Sequence, residues 1–574
     1  MDDDERASTE RTALVDPALV DPGVTDPGVT DPDVPPDAAG GTDVGRTGPP
    51  IPVVPSGLSL GWLRRTGWVV SAVMAVGLIA YSIHIYDRFD LTTDFAIAAQ
   101  GLSQIAHGHL DPYSTLNPHN YPHYGYPFWQ DHFSLIFWPM ALLWLVYPHS
   151  IDLLVVQDLC LTGSVLVSIL FVCDLLERRW ATVTLPRGRP VRGDWRVLPV
   201  AIGVGALGAL VVNPWIYWSA SFDFHIQAVA TLFLVLAARD LWAGRNWRAL
   251  IWIVLVLSCG NVSATYLFGL GIAMVLSRRE LRWRGLALMG LGLVWALVVG
   301  AIGGGTGTLI VGNYGYLAHV APGATIGNVQ IVSGTLLHPS VPLRMLSSRS
   351  ANIYRILAPS GVVGVLSPIG FGITLVVMLS NELNAAAVFS GPVSSFQNLP
   401  MCFLVLVGTA QVLAWLARRR VRTYRVLAAV LGAVLLVQAV AFSAVWTPRA
   451  RQYFLVVDAP TAVALARVAD RIPAADEVIA SQGVVGRFGD RQLVYPFLDT
   501  GGNGQVIPVF DRPVVFVLTS GGIESATAAD TSTAVARLRE IGAEPLEAGP
   551  GVQAFVWTPP EGTKYVTIPP TPGG

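Results

Sequence analysis

Apolar residues run almost without interruption over 67–86, 152–176, 196–216, 225–241, 285–304, 400–417 and 425–445. Each run is long enough to cross a hydrocarbon core of about 30 Å as a helix. Two further stretches predict hairpins. "LIWIVLVLSCGNVSATYLFGLGIAMVL" breaks at Gly260–Asn261, and "IYRILAPSGVVGVLSPIGFGITLVVMLSNEL" is interrupted by proline and glycine. Splitting both gives eleven predicted crossings. "HFSLIFWPMALLWLVY" (132–147) is short and broken at Pro139, so its apolar segment 134–148 reads as a dip into one leaflet.

The pattern changes at both ends. Residues 1–60 contain "VDPALVDPGVTDPGVTDPDVPPD", rich in Pro, Asp and Gly and without a hydrophobic period, which predicts a disordered tail. From 449 to 574 the charge content becomes ordinary. There "EVIAS", "QLVYPF", "PVVFVLT" and "QAFVWT" read as strands among helical patterns at 461–471 and 531–541, a small α/β module. The expected fold is therefore an α-helical polytopic membrane domain over 61–448 with a small α/β C-terminal domain.

Arginine placement orients the chain. Basic segments at 178–196, 239–248, 278–284 and 418–425 fall on one face with Arg64 and Arg65, against Arg88, Arg344 and Arg349 in the loops of the other. The positive-inside rule makes the first face cytoplasmic. The N-terminal tail is then inside a plasma membrane, and loops 87–150 and 305–352 and the C-terminal domain lie outside.

Composition agrees with a membrane class: of 574 residues 52% are hydrophobic and 13% charged, and mean hydropathy is +0.52. A net charge of −2 argues against a nucleic-acid partner. The four cysteines lie in or beside apolar runs without CxxC spacing and read as packing residues.

Candidate chemistry gathers on the predicted outer face, to which all ten histidines map. "YDRFDLTTDF" places Asp87, Asp90 and Asp94 just beyond the first helix. Thr92 or Thr93 can cap a following helix with Asp94 in its first turn, where the dipole favours a carboxylate. Asp90 and Asp94 could converge there on one hydroxyl or one divalent cation. Asp131–His132 and Asp223–His225 each set an acid beside a histidine against an apolar wall, suited to metal or phosphate and equally to local capping. "NPHNYPHYGYPFWQ" between them suits an interface belt or the stacking of a sugar ring. Within the bilayer Gln157, Asp158 and Gln438 read as interhelical hydrogen-bond partners, and Asp158 also suits a place facing the outer cleft.

The order of "FDLTTDFAIAAQGLSQIAHG", "DHFSLIFWPMALLWLVYPHSIDLLVVQDL", "FDFHIQAVATLFLVLAARDLWAGRNWRALIWIVLVLS", "YGYL" (314–317) and "LSPIGFGITLVVMLSNEL" resembles a family of bacterial multi-pass membrane proteins known as a domain of unknown function, over roughly 67–560. That family is similar in layout to the GT-C glycosyltransferases, which take a sugar from a polyprenyl-phosphate donor at the outer face. The resemblance implies a catalytic base or metal ligand at Asp90 or Asp94, and an arginine such as Arg88 or Arg344 on the lipid phosphate. Relatives tend to carry a Lys-Glu-Asp-like cluster where this chain has "CGNVSA" (259–264), so Asn261 and Ser263 can hydrogen-bond there but cannot act as a base. That departure favours the alternative of a non-catalytic envelope protein. A transporter or flippase, the third class, calls for midplane charge and internal repeats that the sequence lacks.

Overall fold

The computed structural model describes residues 59–116, 126–181, 194–260, 262–302, 306–320, 326–386, 390, 395–419, 421–510 and 512–571. The N-terminal Pro/Asp/Gly tail, 117–125 of the aromatic loop, and Asn261 lie outside the described residues.

Among the described residues seven helices are long and apolar enough to cross a membrane. They are α1 (Gly61–Asp87), α5 (Ile151–Ala181), α6 (Asp194–Val211) continuing into α7 (Pro214–Ser221), α8 (Ile226–Ala243), α11 (Arg282–Ile302), α17 (Ser395–Ala417) and α18 (Arg422–Phe454). The first expected hairpin forms as two shorter apolar helices, α9 (Asn246–Ser258) and α10 (Ser263–Ser277), hinged at Gly260, whose φ is +117°.

The second does not form as two crossings. It yields the eight-residue α15 (Ser350–Leu357), two 3-10 turns, and the fifteen-residue α16 (Pro368–Glu382). Pro359, Gly361 and Pro368 break the backbone before a second span can extend. Among the described residues seven helices are thus long enough to cross, and the eleven expected crossings are not confirmed.

The remaining helices are short. α2 (Thr93–Ala106) follows α1, and α3 (Phe128–Asp131) and α4 (Phe137–Trp144) precede α5. At eight residues, about 12 Å, α4 is too short to cross. α12 (Thr306–Tyr314), α13 (Asn328–Leu337) and α14 (Ser340–Ser348) connect α11 to α15.

Close helix approach in the bundle depends on glycine, as expected where lipid supplies no hydrophobic drive to associate. A Cβ built at Gly372 of α16 would lie 2.4 Å from the Gly269 carbonyl oxygen of α10, and one at Gly285 of α11 2.6 Å from the Gly271 carbonyl oxygen. Both obstacles are backbone. Gly372→Val is expected to destabilise the protein by about 1–3 kcal/mol through overpacking, read as a lower thermal midpoint in detergent.

β1 (Tyr113–Ser114) and β2 (Tyr126–Pro127) form a small antiparallel pair beside α2. Further on, β3 (Glu477–Ser481), β4 (Val494–Phe497), β6 (Val514–Leu518), β7 (Glu544–Gly549) and β8 (Val552–Trp557) form one sheet in the order β4-β3-β6-β8-β7. β3 pairs parallel with β4 and β6, and β8 antiparallel with β6 and β7. β5 (Gln505–Pro508) pairs separately with β9 (Tyr565–Ile568). Helices α19 (Ala459–Ala469) and α20 (Ala528–Glu540) complete it.

This region is fastened to the end of α1 and to α2. The Gly486 amide donates to the Leu91 carbonyl at 2.9 Å, and Gln100 donates to the carbonyls of Arg491 and Gln492 at 3.2 and 3.0 Å. Arg487 lies over the Tyr86 ring at 3.7 Å, a cation–π contact.

Candidate functional site

The site forms where α1, α2, the α7–α8 turn, the start of α17 and the sheet region meet. Thr92 caps α2, its hydroxyl accepting from the Asp94 amide at 3.4 Å, so Asp94 stands in the first turn. The α7–α8 turn is held by Gln157 of α5. Its amide donates to the carbonyls of Ser219 and Asp223 at 3.2 and 2.7 Å, and its oxygen accepts from the His225 amide at 2.7 Å. A polar side chain within a membrane helix thus satisfies the irregular backbone of the turn. Asp158, the next residue, is fully buried and on a different face, and Gln438 donates to the Tyr354 hydroxyl at 2.7 Å.

Asp223 occupies this turn at φ +40°, a left-handed conformation that an aspartate tolerates better than most residues. Its carboxylate accepts from the Thr92 amide at 2.9 Å and from the Thr92 hydroxyl. Burial, then the nearby Asp94 charge, push its carboxyl up to about 8 against the pull of the Thr92 hydrogen bonds. At neutral pH it therefore holds a proton.

Two residues on, the His225 ring stacks on Phe396 of α17 with centroids 3.7 Å apart and lies 5.0 Å from the Phe222 ring. Nδ1 is 3.0 Å from the Phe222 carbonyl oxygen, which can only accept, so Nδ1 carries a hydrogen. Nε2 is left facing Asp94 Oδ2 at 3.5 Å, an ion-pair distance too long to count as a good hydrogen bond. His225 is 7% exposed and Asp94 47%. One wall of the cleft is therefore buried and fixed, while the carboxylate facing it stays open.

Glu524, from the loop after β6, adds a third acid that sequence reasoning missed. Its φ is +57°, and Gln482 donates to its carboxylate at 2.9 Å. The side chain keeps an exposed face, yet loss of hydration and then the Asp94 charge hold its carboxyl above the usual range. No short-range signal links positions 94, 223 and 524; only the folded chain brings their charges together.

Two of the other expected residues serve elsewhere. Asp90, 4% exposed, accepts with Oδ1 from the Val456 and Val457 amides at 2.9 and 2.8 Å. Arg88 donates to the Val457 carbonyl. Together they clasp the end of α1 to the chain leaving α18. His132 is exposed and stacks on Phe128 at 5.9 Å, and Arg344 is exposed on α14. Nothing is described of the Asp131 side chain. Among the described residues no three of His, Cys, Asp or Glu are arranged to hold a metal ion.

The Asp90 clasp is a pH-sensitive joint. Burial, opposed by the two amide hydrogen bonds, raises its carboxyl from 3.8 to about 6. Oδ2 has no partner, so a proton there leaves both amide bonds intact. The folded state binds this proton more tightly than the unfolded one, so stability rises as pH falls from about 6 to about 4. The full effect is about 3 kcal/mol. Thermal midpoints measured across that window are expected to show a shallower slope in Asp90→Asn than in wild type.

No curated protein matches this chain. The family described as "Predicted membrane protein (DUF2079)" matches residues 87–506, a stretch that holds Asp90, Asp94, Asp223, His225 and most of the sheet strands that precede Glu524. The chain belongs to this family of membrane proteins, whose function is unknown.

Proposed function

We propose that the protein is a GT-C-like membrane glycosyltransferase that uses a polyprenyl-phosphate-linked sugar at the outer face of the plasma membrane. The observation that carries this reading is the exposed Asp94 carboxylate 3.5 Å from a buried His225 stacked on Phe396, at the start of the buried α2 and beside the C-terminal sheet region. Asp94 accepts the proton of an acceptor hydroxyl as that oxygen bonds to the anomeric carbon of the donor sugar. The bond from that carbon to the phosphate oxygen breaks, and polyprenyl phosphate leaves.

His225 positions Asp94, and Asp223 keeps its own proton and stays out of the transfer. Arg88 and Asp90 serve the clasp rather than the reaction. The α4 segment supports a membrane-borne donor, since it exposes Leu142, Leu145 and Val146 beside α2. Mass spectrometry of lipid-linked sugars tests the reading: a deletion strain is expected to accumulate one polyprenyl-phosphate sugar and to lose one envelope glycan modification. Unchanged profiles of both would overturn it.

A further inference from the structure

At the end of the bundle remote from the acid cleft, α6, α17 and α18 enclose an apolar cavity of about 440 Å³. Leu198, Gly205, Leu406, Leu413, Ala429 and Leu436 are among its lining. A Cβ built on Gly205 would meet nothing within 4 Å, so the space reaches the α6 backbone. Contact with α6 and α17 is confined to a narrow strip of α18, which exposes Val426, Val430, Val434 and Val437 along its length.

The mouth of this groove is marked by charge. Arg418 and Arg419 follow α17, and Arg422 and Arg425 open α18; all four are exposed. None has a carboxylate partner among the described residues. Arg179 lies near enough to Arg418, and to Arg278, for like charges to repel. Arg419 sits over the Trp415 ring at 4.1 Å, and Trp415 meets Tyr424 edge-on at 6.5 Å. Trp, Tyr and Arg grouped in this way mark headgroup level. From Arg422 the helix rises roughly 9 Å to Ala428 and roughly 21 Å to Leu436, so the cavity lies in the hydrocarbon just inside that level.

We propose that this groove is a binding site for an anionic phospholipid, its acyl chain between α6, α17 and α18 and its phosphate on the guanidiniums of the α17–α18 turn. An apolar slot at this depth excludes water, and an unpaired cluster of arginines at its entrance selects a negative headgroup over a zwitterionic one. The site is independent of the acid cleft and of the reaction proposed there.

The test uses the full chain purified in mild detergent and offered equal phosphatidylglycerol and phosphatidylcholine, with retained lipid counted by native mass spectrometry. Wild type is expected to retain phosphatidylglycerol preferentially. Arg418→Gln with Arg422→Gln is expected to reduce that preference roughly tenfold or more, and these exposed positions leave folding intact. Ala429→Phe, which fills the slot, is expected to lose both lipids. Equal retention of the two lipids by wild type, or unchanged phosphatidylglycerol retention after Ala429→Phe, would overturn the proposal. So would a lipid-free dimer that Ala429→Phe dissociates, since a second copy of the chain would then occupy the groove.

Discussion

Asp94→Asn is expected to abolish sugar transfer, lowering the rate on the order of 10²–10⁴-fold, while leaving expression and thermal midpoint close to wild type. The side chain is 47% exposed, and asparagine is nearly its isostere. Asparagine keeps the shape of the first turn of α2 and removes only the group that accepts a proton. His225→Gln should fall between wild type and Asp94→Asn, because it releases the ring stack on Phe396 and lets the carboxylate wander without removing it. The assay is transfer from a polyprenyl-phosphate sugar by protein in proteoliposomes. Full activity of Asp94→Asn would remove the proposed base.

The second large effect concerns stability and separates two substitutions at one position. Asp223→Ala should destabilise the fold by about 2–4 kcal/mol, since it strips both hydrogen bonds from Thr92 and leaves a buried gap where α2 begins. Asp223→Asn should cost far less, because the native carboxyl already carries a proton at neutral pH and the amide reproduces its shape. The pH dependence follows the same logic. A carboxyl raised in the folded state to about 8 binds its proton more tightly there than when unfolded, so wild-type stability declines as pH rises from about 4 to about 8. Asp223→Asn should flatten that decline. Denaturation followed over this range checks both statements.

The membrane character and the seven long helices are legible in the sequence because each span carries its own signal, a run of about twenty apolar residues. The strands at 477–481 and 514–518 are equally local, being buried apolar runs bounded by turn residues. Thr92 as the cap and Asp94 in the first turn follow from the same short-range rules. The proline and glycine interruption of the second expected hairpin is legible too, but not that it spreads over two 3-10 turns from Ala358 to Leu366 and leaves only eight residues for the helix before it.

The site is only half visible in this way. Positions 94, 223 and 225 carry chemistry that a sequence displays, but the direction in which each side chain points does not follow from spacing. Asp90 lies four residues from Asp94, yet its carboxylate turns toward residues 456 and 457. Gln157 reads as a membrane hydrogen-bonding residue, and its actual partners are three backbone groups of a turn more than sixty residues away. Glu524 gives no sign at all, because its place depends on the packing of the sheet region against α2.

Everything proposed for the cleft requires that it open outward, where the arginine-poor end of the bundle should lie. The most direct measurement is labelling of Asp94→Cys with a membrane-impermeant maleimide in intact cells; the four native cysteines are buried and contribute little background. The account predicts rapid labelling without permeabilisation, slowed when a polyprenyl-phosphate sugar is supplied. Labelling that occurs only after the membrane is breached would contradict it, placing the acid–histidine cleft in the cytoplasm.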